Sequence, residues 1–358
     1  RIKVVSFMKT TPCTRHRRTA SLSGLFLCLL AAAVPLRDAS GEIVLRDAIV
    51  VAPPAAGPVA GFAARELARH LQPVVAHPVP VHDTIPREPA DGSGRVVFRV
   101  GAAPPESADP QKPGEARIVV HGTTVYLFGD DRLSGDGVVS DEQLVAAPEH
   151  RLGTLSAVYA FLERDVGYRW LWPGPEGTVR IYRAPPRIRS GTWSRVPPRK
   201  GSVLHLDVWD PETARTAAEL LPQDFSHPPS AVDARKHAAV LWLRRHRLPF
   251  GIPDPSHSLH LNAAGLPPGT ARALHDRLKP RLWPFSRPPL SVTVSLPTDP
   301  MQALSAYAAA RAIVDPDVPF HRVETEFCLA YGKAQFDVKQ YFRSWRTLGE
   351  SRRLLPEA

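Results

Sequence analysis

Apolar residues recur at every second position through much of Glu42–Pro53, "EIVLRDAIVVAP", and most are Val or Ile. That alternation predicts a first strand or hairpin. The period then lengthens. Val59, Phe62, Ala63, Leu67 and Leu71 fall at three- and four-residue steps, which predicts one buried face of a helix. Pro73 stops it. "VPVHD" and Arg95–Gly101, "RVVFRVG", read as short strands. "ARIVVHGTTVYLFGDD" reads as two strands meeting in a hairpin near His121 and Gly122. A polar, Gly-rich loop leads on to Arg151.

The clearest pattern lies in Gly153–Gly177, "GTLSAVYAFLERDVGYRWLWPGPEG". Leu155, Val158, Phe161, Leu162 and Val166 form an apolar stripe. Glu163, Arg164 and Asp165 are expected on the other, solvent-facing side. Gly167 is placed to end the helix in a left-handed cap. "YRWLW" is then a strand and Pro173-Gly174 a turn. Strands and helices alternate without a strict rhythm, which predicts an α+β fold.

Further along, Arg183–Lys200 is rich in Pro and Arg and reads as a linker at a domain boundary. Ala231–Leu248 reads as a second strong helix with Val232, Ala239 and Leu243 inward. Asn262–Pro300 is broken by repeated Pro and supports no assignment. "DPMQALSAYAAARAIV" and "RVETEFCLAYGKAQFDVKQYFRSWRTL" are helical to the end, and no repeat of fixed period occurs. The expected division is a leader over 1–41, an α/β domain over 42–189, a partial barrel-like region over 190–320, and a helical segment over 321–358.

Composition changes this picture mainly at the leader. The chain has 358 residues and is 43% hydrophobic, which suits about two globular domains and argues against general disorder. Met8 reads as the true start, with a basic stretch after it and the apolar run Leu22–Val34 behind that. The run is shorter than the roughly 20 residues of a membrane span, so an export signal is expected, cleaved near Ala39–Gly41. The protein is then secreted or periplasmic, with no stable membrane span. The net charge of +10 also belongs largely to the leader: beyond residue 41 there are 38 basic against 34 acidic groups, a net of +4. So weak a surplus predicts no nucleic-acid partner. Of Cys13, Cys28 and Cys328 only the last would survive cleavage, which predicts neither an intrachain disulfide nor a cysteine metal cluster.

The residues of the central segment carry a resemblance. Gly153, Thr154, Ala157, Val158, Tyr159, Phe161, Leu162, Glu163, Gly167, Arg169, Trp170, Trp172 and Pro173 match a long motif. On it the chain resembles the DUF4838 family of secreted bacterial proteins, related to the N-terminal domains of α-glucuronidases and β-hexosaminidases. "ARELARHL" and "VYLFGDD" fit the family's earlier helix and strand, and "LWLRRHRL" with "HSLH" resembles the start of its next region. The resemblance implies a small sheet-plus-helices domain, like the second domain of β-hexosaminidases, followed by a (β/α)8-like glycoside hydrolase domain. Such a barrel takes about 250 residues and at least about 200. From Gly191 onward 168 remain. The expectation is an incomplete barrel, with the gap inside Asn262–Pro300 left by a frameshift, a deletion or a gene-model error.

Glycoside hydrolysis usually needs two carboxyl groups across a sugar, one held protonated in a dry pocket. No such pair stands out, so the catalytic residues are left unassigned. Glu324 and Glu326 are two apart on a helix and read as a solvated face. Trp170 and Trp172 alternate onto one side of the expected strand, either to stack on sugar or to anchor a core or domain interface. Arg169 then points away and pairs with an acid. Arg244, Arg245 and Arg247, beside Trp242, read either as a clamp for a substrate carboxylate or as a solvated helix face. His257 and His260 sit three apart with no acid nearby, which is poor for a metal; the family resemblance implies a sugar contact for His257. The substrate-binding candidates are therefore Trp172, Arg245 and His257, on a polysaccharide or oligosaccharide, with no cofactor and no metal. No phosphate-loop, dinucleotide or esterase motif is present. The competing reading is a non-catalytic polysaccharide- or protein-binding module, or a gene remnant.

Overall fold

A computed structural model describes residues 42–85, 95–107, 109–134, 140–147, 149–181, 184–196, 203–207, 231–248, 258–261, 271–278, 291–295, 303–315 and 317–354. The elements run β1 (Glu42–Val44), β2 (Ala48–Val51), α1 (Gly57–Leu71), β3 (Val81–His82), β4 (Val96–Val100), β5 (Ala116–His121), β6 (Thr124–Gly129) and β7 (Asp131–Arg132). Then come α2 (Asp141–Ala146), β8 (Arg151–Leu152), α3 (Gly153–Phe161), β9 (Tyr168–Trp170), β10 (Thr178–Arg180), β11 (Arg187–Arg189) and β12 (Gly191–Arg195). The rest is β13 (Val203–Asp207), α4 (Ala231–Arg245), β14 (Ser258–Leu261), α5 (Ala271–Leu278), β15 (Ser291–Ser295), α6 (Ala303–Val314), α7 (Phe320–Leu329) and α8 (Gln335–Leu354). Helices and sheets are both present, as an α+β chain requires.

Six strands form the main sheet in the order β12-β5-β6-β4-β2-β3. β2, β3, β4, β6 and β12 all run in one direction; β5, between β6 and β12, runs against them. Period two sorts the strand residues. Val96, Phe98 and Val100 face the helices and are fully buried, as are Ile118, Val125 and Leu127. Ile49, Val51 and Val97 make a small cluster of their own. Across the β4–β6 pair, Arg99 lies over the ring of its register partner Tyr126 at 5.4 Å.

α1 and α3 pack on the sheet and on each other. α1 starts with a Pro in its first turn, where the missing N–H costs nothing, and ends at Leu71, two residues before Pro73. Of the stripe the spacing predicts, Val59, Ala63, Leu67 and Leu71 are buried and Phe62 is half-buried at its edge. Phe161 of α3 meets Phe98 edge to face at 5.1 Å. Burial of each such ring contributes about 2 kcal/mol.

The junction of β6 with α3 explains two glycines. A Cβ on Gly153 would lie 2.5 Å from the backbone of Asp130 and Glu115, and one on Gly129 would lie 2.3 Å from Gly153 itself. Backbones therefore meet where the helix starts. Asp131 caps that start from outside the helix, accepting the Thr154 N–H at 2.8 Å on Oδ1. Burial, with the Asp130 charge beside it, pushes the Asp131 carboxyl up to about 6 despite that bond.

The segment read as a linker holds two strands. β11 pairs antiparallel with β1, and β12 adds an edge to the main sheet against β5. The sheet thus takes its last strand from Gly191–Arg195, beyond Arg189. Pro185 and Pro186 lie just before β11, where no ladder N–H is needed.

β13, β15 and β14 form a parallel sheet in that order, with α4 and α5 between them in sequence. Parallel pairing demands such crossovers. β15 and α5 fall inside the Pro-broken stretch that defeated assignment. Helices α6, α7 and α8 follow. Every residue of α6 is buried, so it is wrapped on all sides rather than presenting one face. Among the described residues no helix is long and apolar enough to cross a membrane.

Candidate functional site

The segment Gly153–Gly177 is the hub of the molecule. After Phe161 the helix widens into a π turn, Leu162–Val166, and stops at Gly167, whose φ of 87° and ψ of 24° are the left-handed cap that glycine allows. β9 follows and ends at Trp170. The Leu171 N–H then bonds to the Gly177 carbonyl at 2.8 Å, closing a turn.

Because the strand ends there, the two tryptophans do not share a side. Trp170 is 1% exposed and packs edge to face on Tyr159 at 5.4 Å and beside Tyr168 and His70. Trp172 is half-buried in a second cluster, tilted against Phe327 and Tyr331 at 6.2 and 6.5 Å. Alternation predicts one face only where a strand continues.

Glu163 is not on the solvent side. Its carboxylate accepts from Arg311 Nη1 and from Arg247 Nη2, the latter at 2.6 Å. Its carbonyl accepts from Arg169 Nη1 at 2.7 Å. Arg169 Nη2 reaches Glu326 Oε1 at 3.4 Å, and Tyr307 donates to Glu326 Oε2 at 3.2 Å. The stripe argument fails because α3 is packed on two sides, by the sheet and by α4. Burial alone would raise the Glu163 carboxyl, but Arg247, Arg311 and Arg169 outweigh it and hold the group well below its usual range.

Arg247 closes α4. The Leu248 N–H bonds back to Leu243 at 3.0 Å and the Arg247 N–H to Arg244 at 2.8 Å, a Schellman end. Arg247 takes the left-handed position at φ 57°, which normally favours Gly and costs other residues roughly 1–2 kcal/mol.

A second buried network surrounds Glu66. Tyr159 donates to its Oε2 at 2.8 Å, Arg69 lies at 2.5 Å and Arg245 at 3.6 Å. His70 Nδ1 faces the Glu66 carbonyl at 2.8 Å, so that nitrogen carries the proton. Burial holds His70 down to about 4 and His246 to about 3. His246 Nε2 donates to the Trp170 carbonyl at 2.7 Å.

Of the predicted site residues, Arg245 and Trp172 pack in different clusters. Arg245 is 6% exposed, ion-paired to Glu66 and 6.0 Å from the Trp170 ring centroid. Trp172 belongs to the other cluster. His257 lies outside the described residues, as does the His260 side chain. Arg244 donates to the carbonyls of Val145, His150 and Ala147 and, buried, is lowered to about 10. The arginines therefore form no solvated face. Glu324 and Glu326 do not either: they are 5% and 6% exposed, Glu324 paired with Arg346 at 2.9 Å. Two neighbours on a helix can both be buried when different helices cover them, here α8 and α6. The sequence does place Arg169 correctly, against an acid.

Chemically, these carboxylates are committed. Glu66, Glu163, Glu324 and Glu326 each face an arginine, and at Glu66 and Glu163 the arginines hold the carboxyl below its ordinary range and disfavour a protonated acid. Burial raises Cys328 to about 11, which keeps it an inert thiol. Among the described residues no group of three His, Cys, Asp or Glu side chains is placed to hold a metal. No family model, no curated protein and no solved structure matches the chain.

Proposed function

We propose that the protein is an exported, carbohydrate-active relative of the glycoside hydrolases in which the α/β unit is a non-catalytic buttress and the catalytic site is incomplete. One observation supports this reading most. The segment that carries the resemblance spends its charges on internal contacts, with Glu163 held between Arg247 of the α4 end and Arg311 of α6. A buttress needs such contacts; a hydrolase site needs a carboxyl pair open to a sugar. Purified protein incubated with aryl glycosides and with glucuronoxylan is expected to show no turnover above the blank. Robust release of aglycone or xylo-oligosaccharide contradicts the reading.

The alternative is a glycan-binding module, and one feature favours it: Trp172 is only half-buried, beside Tyr331. Indole faces stack on sugar C–H groups. Binding on a glycan array that Trp172→Ala abolishes, with the circular dichroism spectrum unchanged, selects this alternative.

A further inference from the structure

The interior around Glu163 holds more positive than negative charge. The side chains of Arg169, Arg247 and Arg311 are each at least nine-tenths buried, at 9%, 8% and 8% exposure. Their carboxylate partners are Glu163 and Glu326. Arg195, less buried, adds a fourth guanidinium within reach of the same field, and Asp315 offsets it. Arg322 reaches Glu326 from the exposed side at 3.6 Å. Neutral His246 and protonated Tyr307 supply no counter-charge. Among the described residues, three buried cations against two buried anions leave one positive charge.

Hydrogen bonding shows the same surplus. Arg247 gives Nη2 to Glu163, while its Nε and Nη1 are buried without an acceptor among the described residues. The Nε groups of Arg169 and Arg311 are in the same condition. An unpaired buried charge is costly, and arginine cannot escape by losing its proton. The backbone at Arg247 is also held left-handed, at φ 57°, where glycine is the usual residue. Retaining a guanidinium in that position is the kind of outlier that points to a task for it.

We propose that Arg247 binds a small inorganic anion of the chloride class through Nε and Nη1, completing the charge balance of the Glu163 network. The orphaned donors are enclosed, so a compact monovalent ion fits the chemistry and a sugar ring does not. Such an ion binds the folded state alone and stabilises it in proportion to the logarithm of its concentration.

Thermal melting in sodium chloride, with gluconate replacing chloride at constant ionic strength, tests this. The midpoint is expected to rise by about 3 °C for each tenfold increase in chloride beyond the dissociation constant. Arg247→Gln is expected to lose that rise, and Arg187→Gln, on an exposed strand residue, to keep it. Equal midpoints in chloride and gluconate overturn the proposal, as does loss of the response in Arg187→Gln. Should Arg247→Gln not fold, crystals of the unaltered protein in bromide decide: an anomalous peak within hydrogen-bond distance of Arg247 Nη1 supports the site, and its absence at saturating bromide overturns it.

Discussion

The indole N–H of Trp242 donates to the carbonyl oxygen of Trp170 at 2.9 Å. The bond ties the second long helix, α4, to the end of β9. His246, one turn further on, donates to the same oxygen at 2.7 Å, and its ring lies 4.4 Å from the Trp242 ring. Both tryptophans are 1% exposed, so the contact is dry. Trp242→Phe keeps most of the packing and removes the donor; with His246 still in place, the expected loss is about 1 kcal/mol. Trp242→Ala opens a cavity as well and is expected to cost about 3–5 kcal/mol. Urea denaturation monitored by circular dichroism measures both, and a Trp242→Phe variant as stable as the unaltered protein would show that the hydrogen bond is irrelevant.

Acid is expected to weaken the fold below pH 6.5. Burial lowers His70 to about 4 and His246 to about 3, from 6.5 in an open chain. Between those values the unfolded chain binds protons that the folded chain refuses, so stability is complete above pH 6.5 and lost as pH falls. Each histidine contributes a slope of about 1.4 kcal/mol per pH unit where the difference is full. Asp131 opposes them. Raised to about 6, it favours the fold below its ordinary 3.8 and loses that contribution as pH rises through 6. Asp165, also raised by burial, acts with Asp131, while Glu66, Glu115 and Glu163, held low by their arginines, act with the histidines, and the sum is a net decline in acid. Midpoints in urea from pH 8 to pH 4 check it, and a flat profile contradicts it; His246→Gln is expected to reduce the slope.

Gly153→Ala is expected to disturb the start of α3. Its Cβ would sit 2.5 Å from Asp130 N and from Glu115 O, both backbone atoms that have no rotamer to change. Helix propensity favours alanine by about 1 kcal/mol, so a stabilising result would mean the junction yields readily. The expected result is a lower melting midpoint, and Ser156→Ala in the same helix serves as the control that leaves it nearly unchanged.

The sequence carried the single-faced elements well. Val96, Phe98 and Val100 alternate, and the α1 stripe repeats, because one side of each element meets solvent or a different layer. It failed at elements packed on two sides. Glu163 and Glu326 look like surface residues by type, and only the positions of α4 and α6, distant in sequence, bury them. The same distance hid Asp131 as the cap of α3, since the bond spans 23 residues. Gly167, by contrast, acts through its own backbone, and its cap was legible. The Pro-rich stretch before Lys200 misled because proline is read as a breaker, whereas Pro185 and Pro186 stand just before β11 and leave both β11 and β12 intact.

A double-mutant cycle between Glu163 and Arg247 tests the claim that these charges brace the interior rather than await a substrate. Glu163→Gln, Arg247→Gln and the double variant are measured by urea denaturation. A buried pair broken on one side typically loses about 3–5 kcal/mol, and neighbours that act together couple by at least about 1 kcal/mol. The account predicts a large loss in each single variant and a double variant much less damaged than their sum. Small losses that add within about 0.5 kcal/mol would contradict it, and would return Glu163 to the solvent-facing side.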